Sequence, residues 1–324
     1  MKKFILLAAI SLSNTILFSQ KGRTDHQFEF SGTTENDNYA LTFTDGYYTN
    51  GLFLQLSKQA SWKTNQKLKK IITSWKLGHM IFNSENYDDK SPQTIDRPLS
   101  GYFFLQKGYK FFYKKGHVLQ ADLSLGGTGK ASLAKQIQRW YHNLASLPDI
   151  TGWPLQLNGE ASLNLAAQYN YNLLGLKNQQ SNFEIMGIAS TNIGNAFTNT
   201  SGGLMMKFGN FEDPSHSSFF NARLGKGTGE KLKRNAEVFI YFYPQWVRQF
   251  YNATVQGPLF RKDKGPLVAE LTRQFYMHSM GIHYAERSWT LDVNYVMKNR
   301  EAVSMRQKEK YVSLTLAYRF GSIK

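Results

Sequence analysis

The chain has 324 residues, with 39 Lys and Arg against 23 Asp and Glu, 15% aromatic residues and no cysteine. The absence of cysteine excludes disulfide scaffolds, Cys-ligated zinc and thiol nucleophiles. With 41% apolar residues the chain is also too apolar for global disorder. The sequence predicts a folded protein whose length fits one large all-β domain or two ordinary domains.

The first twenty residues are typical of a secretory signal. Lys2 and Lys3 precede an apolar core at 4–10, and the small Ser19 suits cleavage. That core is shorter than the ~20 residues of a spanning helix. We predict a signal peptide over 1–20 and one domain over 21–324, since no repeat, low-complexity linker or shift of composition divides the rest of the chain. A buried N-terminal strand or an uncleaved anchor is the alternative.

Strong positive charge is a second feature, since the formal net charge of +16 falls only to +14 without the two signal lysines. Such charge is typical of nucleic-acid binding, of contact with an anionic membrane, or of a solvated surface. Export and the absence of a nucleic-acid motif argue against the first. For an envelope protein the sum of the charges favours an anionic lipid surface, although any single cluster can be a solvated face.

Apolar residues recur with a period of two beyond residue 20. In 311–320 one face carries Val312, Leu314, Leu316, Tyr318 and Phe320, and the other carries Ser313, Thr315, Ala317 and Arg319. Closing strands of transmembrane barrels have this pattern, and so do half-buried strands of soluble sandwiches. Other strand-like segments are 27–43, 49–57, 71–82, 101–113, 118–126, 161–173, 182–193, 202–209, 219–225, 237–255, 267–284 and 288–297. Allowing for non-strand pieces, we predict an all-β, transmembrane antiparallel β-barrel of about twelve strands.

One segment has a helical period instead. Leu133, Ile137, Trp140 and Leu144 are spaced as on one helix face, within a loop of about thirty residues. We predict a short amphipathic α-helix there. If the mature N-terminus is periplasmic, strand parity places this loop, 83–98 and the turn at Asp45 and Gly46 on the extracellular side. The polar turn at 63–70 and the Lys114–Gly116 turn then lie on the inner side.

Two groups of residues could carry chemistry. The segments 35–38 and 44–52 are rich in carboxylate, amide and hydroxyl oxygens, which calcium prefers, although Asn, Asp and Gly are also ordinary turn formers. His142 has the side chain of a general base, although most histidines serve the surface or packing. Neither a Gly-x-Ser-x-Gly nor a His-Glu-x-x-His motif occurs.

In combination, these motifs resemble the lipid A 3-O-deacylase family of outer-membrane proteins. The matching blocks run in order from 35 to about 165: Glu35-Asn36-Asp37, Thr44 to Gly51, Asp96-Arg97-Pro98-x-x-Gly101, Gly126-x-x-Gly129-x-x-Ser132 leading to Gln138 and His142, and Gly152-Trp153-x-x-Gln156-Leu157. The resemblance implies a calcium-dependent, twelve-stranded esterase that releases the 3′-linked acyloxyacyl chain of lipid A. The implied partner is lipopolysaccharide in the outer leaflet, and the implied location is the bacterial outer membrane.

The resemblance also implies site residues. Asn36, Asp37 and Thr49 would form the catalytic site with His142, which would activate water, while calcium near Asn36 and Asp37 would stabilise the oxyanion. A characterised type of the family has a Glu six residues after the His. Pro148 stands at that position here, and Asp149, the next residue, is the substitute metal ligand that we consider.

Further expectations concern the surroundings of that site. Arg97, with Lys90, could hold a lipid A phosphate, or Arg97 could form an ion pair in the barrel wall with Asp96 or another acid. Tyr47, Tyr48, Trp140 and Trp153 are candidates for the outer aromatic girdle, with core packing as the alternative for the tryptophans. The alternative functions are a phospholipase in a similar barrel and a non-catalytic channel, adhesin or lipid-binding scaffold.

Overall fold

The protein forms a closed twelve-stranded antiparallel barrel in which each strand pairs with its sequence neighbours and β12 pairs with β1. The computed structural model describes residues 26–40, 46–61, 67–85, 91–148, 150–174, 182–225 and 236–322. The predicted signal peptide lies outside these residues. The strands are β1 (His26–Asn36), β2 (Tyr48–Gln59), β3 (Leu68–Phe82), β4 (Ser100–Tyr113), β5 (Val118–Thr128), β6 (Ala161–Leu174), β7 (Phe183–Gly194), β8 (Phe197–Asn210), β9 (Ala236–Asn252), β10 (Gln274–Glu286), β11 (Trp289–Lys298) and β12 (Glu309–Ser322).

Side chains alternate between lipid and lumen along each strand. In β12, Leu316 and Tyr318 are exposed on the outer face, whereas Ala317 and Arg319 are buried inside. Arg319 donates a hydrogen bond of 2.9 Å to Glu29 of β1 across the closure. The predicted all-β transmembrane barrel, its strand number and its closing strand are therefore confirmed.

The segment 219–225 is not a strand, contrary to the prediction. It belongs to a stretch between β8 and β9 that folds into the inner end of the lumen. Lys70 donates to the carbonyl oxygens of Ser215 (2.9 Å) and Ala222 (2.7 Å), so Lys70 is a lumen-facing residue of β3 and not part of a turn. Phe220 and Leu224 are buried in the cluster that lines this end. Their apolar character comes from packing inside the barrel.

Loops close over the outer end of the lumen. The Tyr47 hydroxyl donates to Asp96 at 2.5 Å and accepts from the backbone N–H of Arg306 at 3.0 Å. Arg97 donates to Glu301 and, at 2.9 Å, to Thr254. The loops after β1, β3, β9 and β11 are thus joined by buried polar contacts.

Helices are few and short. The described residues contain α1 (Ala134–Ala145), α2 (Ala253–Gln256) and 3₁₀ turns at Asn38–Ala40, Gly129–Ser132, Trp153–Leu155 and Ser218–Phe220. None of the described helices has the length and hydropathy needed to cross a membrane. The predicted loop helix is present as α1, between β5 and β6.

The aromatic residues proposed for a girdle divide into two groups. Trp140 is 67% exposed on α1, in keeping with an interfacial position. Tyr47, Tyr48 and Trp153 are 2–3% exposed. The girdle assignment of the two tyrosines is therefore wrong, because their hydroxyls bind the carboxylates of Asp96 and Glu35 inside the protein. Trp153 packs in the core, as the alternative for the tryptophans predicted.

Candidate active site

The helix α1 packs against the outside of the barrel wall, over β3 and β4. Ser132 and Ala134, at its start, lie against Gly101, where an added Cβ would overlap both side chains. The backbone oxygen of Ser132 also lies 3.0 Å from Nε2 of His79, on the outer face of β3. A glycine at this position of β4 therefore permits the close approach of the helix to the wall.

His142 lies on the wall-facing side of α1 and is 4% exposed. Its Nδ1 atom is 2.6 Å from the carbonyl oxygen of Pro148. A carbonyl oxygen only accepts hydrogen bonds, so Nδ1 carries the proton in the neutral ring and Nε2 has a free lone pair. The contact arises because the chain turns sharply after the helix, where Ser146 has a φ of 54°. This is the tautomer that a general base requires.

Gln138 is the buried neighbour of His142, one helical turn earlier. Its side chain is 1% exposed, and neither amide atom has a hydrogen-bond partner among the described residues. Residues at this spacing project from the same helix face, about 5–6 Å apart at Cβ. An unsatisfied buried amide is costly and calls for a ligand. Gln138 has no predicted role from the sequence, although its spacing of four residues from His142 indicates that the two side chains share one helix face.

Asn36, Asp37 and Thr49 come together at the outer ends of β1 and β2. The Asn36 amide donates to Oδ1 of Asn50 at 2.6 Å. Asp37 accepts the backbone N–H groups of Asn38 and Gly46, and the Thr49 hydroxyl donates to the Gly46 carbonyl at 2.7 Å. These bonds end β1 at Asn36, earlier than the predicted 43. These side chains also make the hydrogen bonds to backbone groups that are typical of turns, as the turn-forming alternative predicted.

Two strand pairings connect this group to the helix. Asn36 pairs with Asn50, and both have the sequence parity of lipid-facing residues such as Phe30 and Leu52. Asn50 in turn pairs with Ile81 of β3, which packs in one cluster with Ala134 of α1. The Asn36 group and the wall-facing side of α1 therefore share the outer end of one side of the barrel.

The side-chain oxygens of Asn36 and Asp37 are of the kind that calcium binds, but the group carries little negative charge. Among the described residues, no three His, Cys, Asp or Glu side chains are grouped so that they could hold a metal ion. Asp37 is the carboxylate of this group, and both of its oxygens already accept backbone N–H groups. Asp149, the substitute ligand, lies outside the described residues. Since affinity rises with the number of charged ligands, these donors fit a weakly held ion.

Arg97 is fully buried and engaged by protein groups. It donates to Glu301, whose side chain also binds Lys298 at 2.8 Å, and its guanidinium stacks over Phe82 at 4.3 Å. The ion-pair alternative thus describes its present contacts, with Glu301 as the acid and not Asp96. Glu301 is distant from Arg97 in the sequence and belongs to none of the motifs, so the sequence did not indicate this ion pair. Lys90 lies outside the described residues.

A serine, a histidine and an aspartate also line up at the other end of the barrel. Nε2 of His283 is 2.8 Å from Ser218 Oγ, and its Nδ1 is 3.0 Å from Asp292. However, the Ser218 hydroxyl donates to Glu237 at 2.6 Å. The ring of Phe239 stacks on His283 at 4.8 Å. The arrangement holds the inner segment in place and lacks the free nucleophile of a serine hydrolase.

The sequence profile of the family described as outer membrane protein LpxR matches residues 4–320. The chain belongs to the LpxR family. This is the lipid A deacylase family that the motifs indicated. The predicted family and the predicted outer-membrane location are therefore both confirmed.

A solved structure agrees with this chain at the level of the fold. LpxR from Salmonella typhimurium shares 13% identity and a TM-score of 0.71, covering 90% of this chain and 100% of that chain. The β-domain of the Bordetella autotransporter BrkA shares 10% identity and a TM-score of 0.48, covering 91% and 99%. No match is found among curated protein sequences. LpxR membership supports an outer-membrane lipid A deacylase acting on a lipid substrate.

Proposed function

We propose that this LpxR-family protein is an esterase that hydrolyses the 3′-O-linked acyloxyacyl chain of lipid A, with His142 as general base. The observation that carries the proposal is the contact between Nδ1 of His142 and the Pro148 carbonyl. It leaves Nε2 as the proton acceptor on a buried surface between helix and wall. General bases require this combination of tautomer and position.

The reaction then needs a water molecule at Nε2 of His142 and the ester carbonyl beside it. Nε2 takes the proton of the water as its oxygen attacks the carbonyl carbon, and the imidazolium returns that proton to the leaving alkoxide. Gln138, with its unpartnered amide one turn away, is placed to donate to the carbonyl oxygen as negative charge develops there.

Asn36, Asp37 and Thr49 are assigned to positioning the ester from the ends of β1 and β2. Their hydrogen bonds through Asn50 and Gly46 hold the side chains rigidly. Calcium, when held by Asn36 and Asp37, would supply positive charge to the ester carbonyl oxygen. Asp149 is retained as a proposed further ligand.

Arg97 and Lys90 remain proposed phosphate ligands. For Arg97 the role would require release of Glu301 and Thr254, because both now occupy the guanidinium. Phosphate binding by Arg97 is thus costlier than by an exposed arginine.

The decisive experiment is mass spectrometry of lipid A after incubation with detergent-purified protein, with calcium or with chelator, beside a His142→Ala variant. Loss of a mass equal to the 3′-linked acyloxyacyl group, only with His142 and only with calcium, supports the proposal. Unchanged lipid A with folded wild-type protein would refute it. Cleavage that survives chelation would refute only the calcium part.

The alternatives predict other structures. A channel needs an open polar lumen, whereas the described residues fill both ends of this barrel. A serine phospholipase needs a free hydroxyl nucleophile, and Ser218 donates its proton to Glu237. Neither alternative gains support from a specific contact.

A further inference from the structure

On α1 the buried face contains polar residues and the apolar residues are exposed, which is the reverse of a helix on the surface of a soluble protein. Ala134, Gln138 and His142 share one face of the helix and are buried, although two of them are polar, and Ala134 packs in one cluster with Ile81 of the wall. The apolar side chains of the helix are exposed instead, at 39%, 67% and 71% for Ile137, Trp140 and Leu144, and Leu133, the residue just before the helix, is 54% exposed. We call these four residues the apolar stripe.

A third face is polar and exposed. At about 100° per residue, the apolar stripe is centred about 130° from the wall-facing residues. Gln136, Arg139 and Asn143 occupy the remaining sector and are exposed. The helix therefore presents one side to the barrel, one to an apolar medium and one to water. An amphipathic helix lying in a membrane interface requires the last two.

The barrel wall shows which medium the stripe meets. On the outer face, the next lipid-facing residue after His79 along β3 is Leu77, and Leu105 follows Phe103 along β4. Leu77, Phe103 and Leu105 are all 40–46% exposed, as lipid-facing side chains are. Two residues of strand span about 7 Å. The wall is therefore apolar and lipid-facing about 7 Å from the strand positions that contact the start of α1, so the exposed apolar stripe lies on the side of the barrel wall that faces lipid.

We propose that α1 lies in the outer-leaflet boundary with its apolar stripe among the acyl chains of the surrounding lipids. The apolar face of an interfacial helix sinks about 5–10 Å into the boundary between head groups and acyl chains. Lipid ester bonds occur in the same zone. If the proposed function holds, α1 therefore sets the depth at which His142 meets the scissile ester, and lipid A reaches the site sideways from the leaflet.

Depth can be measured directly because the chain has no cysteine. Ile137→Cys and Leu144→Cys variants, and Asn143→Cys as the matched water-facing control, would each be labelled with an environment-sensitive fluorophore in vesicles. Quenching would be compared between a lipid carrying a nitroxide near the head of its acyl chain and aqueous iodide. We expect the first two labels to be quenched by the lipid and protected from iodide, and the control label to show the reverse. Equal iodide quenching at all three positions overturns the proposal.

A second measurement tests the link to catalysis. An Ile137→Ser/Leu144→Ser double variant should raise KM for lipid A in vesicles by roughly tenfold or more, since each aliphatic side chain loses its burial in lipid. The loss should appear in KM rather than in kcat. A Gln136→Ser/Asn143→Ser variant on the water-facing side should behave as wild type, and equal KM values in both double variants would overturn the link. If wild-type protein proved inactive, the quenching result would still decide the position of the helix.

Discussion

His142 and Pro148 are joined by a hydrogen bond of 2.6 Å from the Nδ1 atom of the imidazole to the backbone oxygen of the proline. Pro148 occupies the position at which the related pattern has a Glu. The residue that departs from the family motif thus contributes through its backbone. The bond orients the ring and leaves Nε2 as the atom available to water.

Replacement of His142 by Gln should abolish this proton transfer while leaving a side chain of similar size. We expect the rate of lipid A deacylation to fall by about 10²–10⁴, the usual contribution of a general base. Initial rates by mass spectrometry would measure it, with Asn143→Gln on the exposed side of the helix as the control. A loss of less than tenfold would remove His142 from the role of base.

Pro148→Ala should have a far smaller effect, because the carbonyl that accepts from His142 remains. The main cost is greater freedom of the unfolded chain, about 0.4–1 kcal/mol of stability. Deacylation rates within a few-fold of wild type are expected. A drop as large as that of the His142 variant would show that the ring of Pro148 itself matters.

Gly101→Ala should displace α1 from the wall, since the new methyl would overlap Ser132 and Ala134. We expect at least a tenfold loss of activity, while the barrel stays folded in unheated SDS gels. Gly202→Ala is the matched control, because a Cβ there meets nothing within 4 Å. Full activity of the Gly101 variant would mean that the helix need not touch β4.

Glu301 should contribute stability that depends on pH. Its burial acts to raise the carboxyl pKa, but Lys298 and Arg97 outweigh this and lower the pKa to about 2. Because the folded pKa is depressed, the contribution is complete above the unfolded pKa of about 4.3 and is lost as the pH falls towards 2.

The corresponding test compares Glu301→Gln with wild type. At pH 7 the variant should lose about 3 kcal/mol, as expected for a broken buried ion pair. The difference should shrink between pH 4.5 and about 2, where wild-type Glu301 becomes protonated. Urea unfolding in detergent would measure both effects, with the exposed Glu270→Gln as control. A difference that is constant with pH would contradict the assigned contacts.

Ser218→Ala separates the serine-hydrolase alternative from the proposed mechanism. Ser218 donates to Glu237 at the inner end of the barrel, so its loss should lower stability by about 1–3 kcal/mol and leave deacylation intact. The rate of the folded variant on lipid A is the measurement. Inactivation without unfolding would revive a serine nucleophile.

Much of the architecture was predictable from local patterns. A period of two over about twelve segments indicated the barrel, and 311–320 identified the strand that closes it onto β1. The spacing of Leu133, Ile137, Trp140 and Leu144 indicated α1. The pattern failed at 219–225, because an apolar segment that packs inside the lumen resembles a short strand.

The amino-acid sequence alone therefore specifies the periodicity, the approximate number of strands, the presence of the helix and the identity of the motif residues. Tertiary structure alone decided which face of α1 meets the wall, that Pro148 orients His142, and that Arg97 pairs with Glu301. Periodicity is a local property, whereas these contacts depend on barrel closure and register between distant segments. In a soluble protein the apolar face of a helix is buried, but beside lipid it can be exposed. His142 and Gln138 therefore lie on the face towards the barrel wall, while the leucines and Trp140 lie on the face away from it.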